Sequence, residues 1–482
     1  MTSRLRPVAG RAWRATSQEA TLLLRAAGLD AEDVKTIRDQ RLRATLRHAA
    51  MHSLGWRQRL AEAGVVIDGR VFLERFEQLP PLARRDLASD PHRFEIRELS
   101  RRHAYENASG GSTGEPVRFV QDRSYLRWTR AVKAIFDAFT GYVAGQPKFV
   151  IWGAASRDTT RHAPFSTRLR HWGKNETWAD AYRMEPAAMG RWAGIVNELG
   201  PVQILGYAES LEVWARFLLD EAIRIRPPKA VMATAGTLTQ QMRDTIETGL
   251  GAPVFDRYGS REVSDIACET SQHDGLAIAP LHVHVEIVGA DGTPLGPGDE
   301  GEVLVTSLTN GAMPLLRYRI GDQAVWDSDP QDARTWQRRD GQHSPSTLVP
   351  VAWPRLARVT GRVTDHFVAA DGALVYAGAL RTRLYGIKGI RSYQLVQHTT
   401  TRVELLLALE KGTPAEVIAE IEGRLGPALD ELLRGRIELE VSRVTEIDVP
   451  PSGKHRHTRC LVADADERSG RFTDRTDGSE GR

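Results

Sequence analysis

Residues 201–236, PVQILGYAESLEVWARFLLDEAIRIRPPKAVMATAG, join two short apolar segments through an amphipathic one. PVQILGY and KAVMATAG have the length and composition of strands, and LEVWARFLLDEAIRI between them has the apolar spacing of a helix. A strand, a helix and a second strand form the crossover unit of a parallel sheet. This stretch therefore predicts an α/β fold.

The same alternation continues on both sides of this stretch. PKFVIWGAA (147–155) and AMGRWAGIVNELG precede it, and QQMRDTIETGLG follows it. Several such units in succession predict a doubly wound α/β core. Residues from about 16 to 65 are predicted to be helical, and the Pro-rich segment 78–91 is predicted to connect helices.

From about residue 281 the pattern becomes β-rich and antiparallel. HVHVEIVGADGTPLGPGDEGEVLVTSL has two alternating strands around Asp-Gly and Pro-Gly turns, and 362–380 repeats a strand–Asp-Gly–strand unit. We predict a large N-terminal domain over 1–360, made of the α/β core plus a β-rich subdomain. A small mobile α+β domain is predicted over 361–463, and the polar segment 464–482 is predicted to be disordered.

The composition is typical of a soluble globular protein. The 482 residues are 41% hydrophobic and 26% charged, and the formal net charge is only +3. This balance favours neither nucleic acid nor an anionic membrane as the main partner. Two cysteines cannot form a disulfide framework in so long a chain, and no apolar run approaches the roughly 20 residues that span a bilayer. We therefore expect a cytoplasmic protein.

The segment SGGSTGEP at 109–116 has the composition of a phosphate-binding loop. Its glycines let backbone N–H groups close on an anion, and its hydroxyls add donors. The lysine of the GxxxxGK[ST] loop is missing and Glu115 adds a negative charge, which argues against a P-loop phosphotransferase. On its own, the segment is equally typical of a surface turn.

Two later segments shift that balance. Tyr258 to Glu262, YGSRE, offers an aromatic ring, a Gly turn, a hydroxyl and a carboxylate, which can stack on a base, approach a phosphate and hold Mg²⁺. Arg317 to Asp322, RYRIGD, ends in an Asp after a Gly, and such a carboxylate can accept both hydroxyls of a ribose. Each of these segments alone is also typical of an ordinary turn.

Together and in this order, the three segments resemble the adenylate-forming superfamily of acyl-CoA synthetases, adenylation domains and luciferase-like enzymes. The resemblance is strongest to its phenylacetate–CoA ligase-like branch, which includes capsule-biosynthesis relatives, and covers roughly residues 100–460. Supporting segments follow in the same order: VMATAGTLT (231–239), DGTPLGPGDEGEVLVTSL (291–308), GRVTD (361–365) and PSGK (451–454).

The resemblance implies a nucleotide site. The loop at 109–116 would embrace the ATP β- and γ-phosphates, Tyr258 would lie against adenine, and Asp322 would bind the ribose hydroxyls. Glu262 would coordinate Mg²⁺, and Arg362 would lie near the ribose or a phosphate. The implied cofactor-binding residues are Ser109, Gly110, Gly111, Ser112, Thr113, Gly114, Ala235, Gly236, Tyr258, Gly259, Ser260, Asp322 and Arg362.

The implied catalytic residues are Lys454, Glu262 and Arg261. Lys454, one of only eight lysines in the chain, would bridge the substrate carboxylate and the α-phosphate, where two anions must meet. Residues 361–365 would be the hinge about which the domain that carries Lys454 rotates.

Three positions depart from the superfamily pattern. Glu115 replaces a common Lys, and Arg261 stands where Thr or Ser is usual beside the α-phosphate. Gly236 takes the place of an acidic residue often found in this adenine-side strand. These departures leave open a degenerate homologue that binds nucleotide without catalysis.

The activity implied by the resemblance is that of an AMP-forming carboxylate ligase. A carboxylic acid and Mg·ATP would give an acyl-adenylate and pyrophosphate, and a thiol or amine would then displace AMP. Coenzyme A is the first expectation for the acceptor, and a carrier-protein thiol or an amine stays open. By family analogy alone, the acid is expected to be a modest aromatic or similar compound.

Two further groups of residues have weaker patterns. A zinc site can be drawn from one thiol and three imidazoles, but their irregular spacing favours ordinary loop residues: Cys268, His273, His282 and His284. Five aromatic residues can line an acyl pocket, although most are expected in the core: Trp152, Trp172, Trp178, Trp192 and Tyr207. Trp152 and Tyr207 end strand-like segments, where α/β folds bind ligands.

Overall fold

The computed structural model describes residues 17–98, 103–109, 117–153, 165–181, 184–328, 332, 343–344, 347–362, 366–372, 374–384, 387, 389–409, 412–447 and 458–462. In this part of the chain the α-helices are α1 (Gln18–Ala27), α2 (Ala31–His52), α3 (Leu54–Glu62), α4 (Arg84–Ser89), α5 (Arg123–Phe139), α6 (Phe165–Lys174), α7 (Pro186–Leu199), α8 (Ala208–Asp220), α9 (Gln240–Leu250) and α10 (Glu416–Leu433). Short 3₁₀ helices span Leu73–Gln78, Pro91–Arg93 and Ala377–Leu384.

The strands over the same residues are β1 (Val66–Ile67), β2 (Arg70–Val71), β3 (Tyr105–Ser109), β4 (Val117–Gln121), β5 (Lys148–Trp152), β6 (Glu176–Asp180), β7 (Gln203–Tyr207), β8 (Ala230–Thr234), β9 (Val254–Ser260), β10 (Ser264–Glu269), β11 (Leu276–Ile278), β12 (Val283–Val288), β13 (Glu300–Ser307), β14 (Tyr318–Trp326), β15 (His343–Ser344), β16 (Thr347–Leu348), β17 (Arg355–Arg362), β18 (His366–Val368), β19 (Leu374–Tyr376), β20 (Ile390–Thr399), β21 (Arg402–Leu409), β22 (Glu438–Arg443) and β23 (Thr458–Cys460).

One large sheet forms the body of the protein. Its described strands lie in the order β12-β13-β14-β17-β11-β10-β9-β8-β7-β5-β6. The half from β6 to β9 is parallel, and Thr234 of β8 pairs in register with both Tyr207 of β7 and Arg257 of β9. From β5 the chain passes to β6 on one side and then to β7 on the other. Open α/β sheets bind ligands outside the carboxyl ends of the strands at such a reversal.

Helices cover both faces of the parallel half. The helices α7, α8 and α9 pack on one face around a core that includes Phe149 and Trp214. On the other face, α1 and α5 pack around Phe136 and Met232. The predicted doubly wound α/β fold is therefore confirmed, because alternate residues of each buried strand supply one apolar face to each helical layer.

The β-rich part continues the same sheet. The strands β12 and β13 pair antiparallel, as the Asp-Gly and Pro-Gly turns between them predicted, and β14 and β17 join them to β11. Antiparallel pairing already begins at β10 and β11, before the pattern change at residue 281, and β12 and β13 extend that half of the sheet. A single mixed sheet results.

Local sequence signals mark the start of α5 and the end of α9. Asp122 caps α5 by accepting a 2.7 Å hydrogen bond from the backbone N–H of Tyr125. Gly251 ends α9 in the left-handed conformation, which glycine adopts without steric cost. The predicted N-terminal helices are present as α1 to α3, and the Pro-rich connector at 78–91 contains the short helix α4.

The C-terminal residues form a separate sheet with its own core. The strands lie in the order β22-β21-β20-β23, and α10 packs on them through a cluster that includes Leu405 and Leu429. The boundary at 360–361 stays a prediction, because β17 of the large sheet runs to Arg362 and 363–365 lie outside the described residues. The segment 464–482 lies outside them as well. No helix in the described part of the chain has the length and apolar character needed to cross a membrane.

Candidate active site

Three of the predicted nucleotide-site segments lie on strands of the large sheet or directly after them, two on the adjacent strands β8 and β9 and one on β14. Tyr258 lies near the end of β9, and Ala235 and Gly236 follow β8 directly. Asp322 lies in β14, in the antiparallel half. The fold therefore brings together residues that the sequence separates by up to about ninety positions.

Tyr258 and Asp322 are in direct contact. The phenol Oη of Tyr258 donates a 2.9 Å hydrogen bond to Asp322 Oδ2. The ring of Tyr258 is 8% exposed, and Asp322 is half-buried. One carboxylate oxygen is thus oriented by the phenol, which fixes the direction in which Asp322 presents its acceptors.

Arg362 lies directly opposite Asp322 on the adjacent antiparallel strand. The two residues are register partners in the β14–β17 pair, which is followed by the Gln323–Gly361 pair. Gly361 has a φ of 139°, a conformation that L side chains rarely adopt, so the glycine here is required by the backbone. The side chain of Arg362 lies outside what the structure describes.

The turn after Tyr258 needs its glycine for close strand approach. A Cβ built on Gly259 would lie 2.5 Å from the carbonyl oxygen of Ser264 and 2.9 Å from the Cα of Asp265. Ser260 Oγ accepts a 3.4 Å hydrogen bond from the backbone N–H of Val263. Gly259 and Ser260 therefore shape the loop that presents Arg261, which is exposed, and Glu262, which is buried.

The carboxylate of Glu262 lies close to the guanidinium of Arg84. Glu262 is 7% exposed, and its Oε1 lies 3.7 Å from Arg84 Nη1 of helix α4. Magnesium in phosphoryl-transfer sites is held by one or two carboxylates together with substrate phosphates. The described residues contain no group of three or more His, Cys, Asp and Glu side chains that could hold a metal ion. A buried carboxylate thus has the chemistry to bind a cation that arrives with a nucleotide.

Gln121 anchors the Glu262 loop, a role that no sequence pattern predicted. Gln121 is 2% exposed, and its Nε2 lies 3.3 Å from the carbonyl oxygens of both Arg261 and Glu262. Its Oε1 accepts a 3.2 Å hydrogen bond from Asn107 Nδ2. Tyr125 Oη also donates to the Glu262 carbonyl, at 3.4 Å. A side chain at the end of β4 therefore joins β3 to the loop that carries Glu262.

The predicted phosphate loop connects two paired strands. Ser109 ends β3 and pairs in register with Val117, the first residue of β4. Gly110, Gly111, Ser112, Thr113 and Gly114 lie outside the described residues, as does the side chain of Ser109. The hairpin nevertheless fixes where both ends of the loop emerge, and Gln121 ties that hairpin to Arg261 and Glu262.

His282 hydrogen-bonds the same loop through Val263. Its Nε2 lies 2.9 Å from the carbonyl oxygen of Val263, and its Nδ1 lies 2.9 Å from Thr309 Oγ1. Because a carbonyl can only accept, Nε2 carries the proton and Nδ1 accepts from the Thr309 hydroxyl. Burial lowers the pKa of His282 to about 4, so the ring is neutral. Both ring nitrogens are therefore used within the protein.

The remaining candidates for a zinc site form no group of three potential metal ligands with His282 or with one another among the described residues. Cys268 is fully buried, and burial raises the pKa of its thiol well above the usual value. His273 Nδ1 lies 3.3 Å from Glu269 Oε2, and the ring of His284 packs on Phe76. Each of these side chains has its own surroundings in the protein.

Ala235 and Gly236 form a tight turn beneath a carboxylate. Ala235 has a φ of 62°, and a Cβ built on Gly236 would overlap both carboxylate oxygens of Glu209. Glu209 lies in the first turn of α8, directly after β7. Gly236 has no acidic side chain of its own, but the carboxylate of Glu209, from the connection between β7 and α8, lies over it.

Trp152 and Tyr207 lie together at the reversal of strand order. Their ring centroids are 4.5 Å apart, and Tyr207 Oη donates a 3.2 Å hydrogen bond to the carbonyl oxygen of Gly153. They end β5 and β7, which matches the prediction for strand ends. The other tryptophans differ: Trp192 is 7% exposed in the core, Trp172 is 52% exposed and not a core residue, and Trp178 donates to Glu176.

Lys454 and the hinge are not placed by the structure. Residues 448–457 and 363–365 lie outside the described residues, so their assigned roles stay predictions. The strand β23 begins four residues after Lys454 and pairs parallel with β20. The C-terminal sheet thus fixes one end of the segment that carries the lysine.

Comparison with known proteins agrees with this architecture. The chain is 30% identical over 324 residues to the phenylacetate–coenzyme A ligase of Escherichia coli K12, which covers 64% of this chain and 70% of that protein. It is 23% identical over 348 residues to the protein CapK of Staphylococcus aureus, with 70% and 71% covered. No protein-family model matches the chain.

A solved structure shows the same fold. The crystal structure of a 2-hydroxyisobutyryl-CoA ligase in its postadenylation state superposes with a TM-score of 0.64, at 18% identity, and 89% of each chain is covered. The resemblance stated from the motifs is confirmed by the match to the Escherichia coli enzyme. This chain belongs to the phenylacetate–coenzyme A ligase family, a branch of the adenylate-forming superfamily.

Proposed function

We propose that this protein activates a carboxylic acid with ATP and transfers the acyl group to coenzyme A, releasing AMP and pyrophosphate. The observation that carries the proposal is the 2.9 Å hydrogen bond between Tyr258 and Asp322. It joins an aromatic ring of the parallel half of the sheet to an oriented carboxylate of the antiparallel half, and such a pair suits an adenosine. Family membership supplies the reaction class, since the Escherichia coli relative is named a phenylacetate–coenzyme A ligase.

The nucleotide would lie across β8, β9 and β14. Adenine would lie between the ring of Tyr258 and the turn at Ala235 and Gly236, and the ribose hydroxyls would donate to Asp322. The phosphates would then extend toward the 109–116 loop and Arg261. A cation at Arg261 favours the developing negative charge there, and preorganised charge is often the largest catalytic contribution.

Glu262 would hold the Mg²⁺ that accompanies ATP. Gln121 and Tyr125 hydrogen-bond the backbone carbonyl of Glu262, so the loop that carries its carboxylate is held without the ion. When bound, Mg²⁺ supplies charge neutralisation on the phosphates. Arg84, at 3.7 Å, balances the carboxylate.

The first half-reaction would join two anions. An oxygen of the substrate carboxylate attacks the α-phosphorus, the bond between the α-phosphorus and the bridging oxygen breaks, and pyrophosphate leaves. Lys454 would lie between the two anions during this step. In the second half-reaction the thiolate of coenzyme A attacks the acyl carbonyl and AMP leaves with both electrons of the broken acyl–oxygen bond.

The acid would be bound at the strand reversal. Trp152 and Tyr207 form an aromatic wall there, and the relative's named substrate is phenylacetate, so an arylacetic or similar aromatic acid is the first expectation. Since ATP and coenzyme A are cytoplasmic metabolites, the proposal implies a cytoplasmic protein. Analysis of the acyl product distinguishes coenzyme A from a carrier-protein thiol or an amine as the acceptor.

The test is ATP–pyrophosphate exchange over a panel of aromatic and aliphatic acids, followed by product analysis with coenzyme A, pantetheine and amines. Lys454→Ala should lower exchange by about 10²- to 10³-fold, the range typical of removing one charge-stabilising group. Lys411→Ala, in the same predicted domain, is the control. A folded protein that binds ATP but exchanges pyrophosphate with no acid would contradict the ligase proposal. Full exchange by Lys454→Ala would contradict only the role of that lysine.

A further inference from the structure

Glu209 lies where the proposed adenine site ends. Its carboxylate covers Gly236 so closely that any side chain at 236 would overlap both oxygens. Glu209 follows β7, Gly236 follows β8 and Tyr258 lies near the end of β9, and these three strands are parallel neighbours. Along the carboxyl edge of the sheet, the order is therefore Glu209, the Ala235–Gly236 turn, Tyr258.

The other end of the same site is fixed by Asp322. The carboxylate of Asp322 accepts a hydrogen bond from Tyr258 of β9, and β14, which carries Asp322, lies on the opposite side of β9 from β7. In adenosine, the ribose hydroxyls and the exocyclic amino group lie at opposite ends of the molecule. A base that starts from a ribose at Asp322 and crosses Tyr258 therefore directs its amino edge toward Gly236 and Glu209.

Asp322 is assigned to the ribose and Glu262 to Mg²⁺ at the phosphates, which leaves the base end of the nucleotide for the charge of Glu209. Without a metal ion between them, a carboxylate near the phosphates or the substrate carboxylate would oppose binding, whereas one beside an amino group accepts a hydrogen bond from it. The backbone at Gly236 allows this arrangement, since the absence of a Cβ leaves room for the carboxylate.

From this geometry we propose that Glu209 accepts a hydrogen bond from the exocyclic amino group of adenine and determines selectivity for ATP. The inference rests on the proposed nucleotide site. Adenine donates at this position, whereas hypoxanthine and guanine present a carbonyl oxygen. A carboxylate there accepts a hydrogen bond from adenine and repels the carbonyl oxygen of hypoxanthine or guanine. Sites that hydrogen-bond a substrate N–H strongly reject analogues that lack it.

The probe is inosine triphosphate, which differs from ATP at this position without the added 2-amino group of guanine. Wild-type protein should prefer ATP over inosine triphosphate by at least about 10²-fold in kcat/KM and in direct binding. Glu209→Gln presents an amide N–H₂ to the carbonyl oxygen, so the ratio should fall by roughly 10-fold or more. The KM for the carboxylic acid should not change. Glu221→Gln, at the exposed end of the same helix, is the matched control.

A second variant tests the contact itself. Gly236→Ala should displace the Glu209 carboxylate and lower the same ratio, and in a Glu209→Ala background it should have little further effect. Glu209 also lies in the first turn of α8, where a negative charge favours the helix. If that were its only role, Glu209→Gln would lower the melting temperature and leave the nucleotide ratio unchanged, which would overturn the inference.

Binding measurements separate this inference from the ligase proposal. Calorimetric titration with ATP and inosine triphosphate needs no carboxylic acid and no turnover. Equal wild-type affinity for the two nucleotides overturns the role of Glu209 and leaves the ligase proposal standing. Selective ATP binding without pyrophosphate exchange overturns the ligase proposal and leaves the role of Glu209 standing. No nucleotide binding at all overturns both.

Discussion

The phenol of Tyr258 donates a 2.9 Å hydrogen bond to Asp322 Oδ2 across 64 residues of sequence. Tyr258 belongs to the parallel half of the large sheet and Asp322 to the antiparallel half. The contact therefore spans the junction between the two halves. Both residues were predicted to bind parts of the same nucleoside, and the hydrogen bond gives that expectation a defined geometry.

Removing this phenol should weaken nucleotide binding. We expect Tyr258→Phe to raise the KM for ATP by roughly 3- to 10-fold, since such a hydrogen bond contributes on the order of 1 kcal/mol. The ring that would face adenine is retained, so kcat should change less. Steady-state pyrophosphate exchange gives both constants. Tyr142→Phe is the control, because its hydroxyl donates to the carbonyl of Gln146 away from the site, and an unchanged KM in folded Tyr258→Phe would contradict the prediction.

Removing the amide of Gln121 should lower both stability and kcat. Gln121→Leu leaves buried carbonyls of Arg261 and Glu262 without its N–H donors, which costs about 1–3 kcal/mol of unfolding free energy. The Glu262 loop would lose its anchor, so we expect kcat to fall by about 10-fold or more.

Gln203→Leu is the matched control for Gln121. Gln203 is equally buried and donates a 2.7 Å hydrogen bond to Thr140 Oγ1, remote from the loop. Its stability should be measured in urea titrations alongside that of Gln121→Leu, and its folded fraction should keep its kcat. Equal kcat values for the two variants would contradict the positioning role of Gln121.

The carboxyl group of Asp256 should make stability depend on pH. Burial, and then the neighbouring Glu269, raises the pKa of Asp256 to about 7 from 3.8. Between pH 4 and 7 the folded state therefore binds a proton that the unfolded state has released, and stability falls as the pH rises through this range. Asp256→Asn should remove that fall, so its stability relative to wild type should be higher at pH 8 than at pH 4. Urea unfolding at several pH values measures this, and exposed Asp244→Asn should show no such trend.

The buried imidazoles of His282 and His284 should respond oppositely to replacement by leucine. Neither ring nitrogen of His284 has a hydrogen-bond partner among the described residues, and burial lowers its pKa to about 3. We therefore expect His284→Leu to raise the melting temperature, because an unpaired polar group no longer has to be buried.

His282→Leu should lower the melting temperature, since it removes the partners of Val263 and Thr309. The advantage of His284→Leu should also grow as the pH falls from 7 to 5. In that range the unfolded wild type takes up a proton that the folded ring does not, so wild-type stability decreases. A destabilised His284→Leu at pH 8 would contradict the prediction.

The local sequence predicted the elements and the motif residues but not their connections. Apolar runs with period 2 and period 3.6 predicted β7, α8 and β8, since burial on a sheet imposes those spacings. The sequence motifs also located Tyr258, Glu262 and Asp322, because their residue types and order match a known family. Gln121, Arg84 and Glu209 carried no such signal, because each acts through a partner on a distant strand or helix.

The sequence by itself determined the α/β class, the order of the strands and helices along the chain, and the family. Tertiary structure alone decided that the parallel and antiparallel halves form one sheet, because strand pairing depends on which edges meet. It also decided that Gly236, which lacks a side chain, lies beneath the carboxylate of Glu209. The local pattern around a residue indicates which of its faces is buried. The distant residue that it contacts in the folded protein is determined by how the whole chain packs.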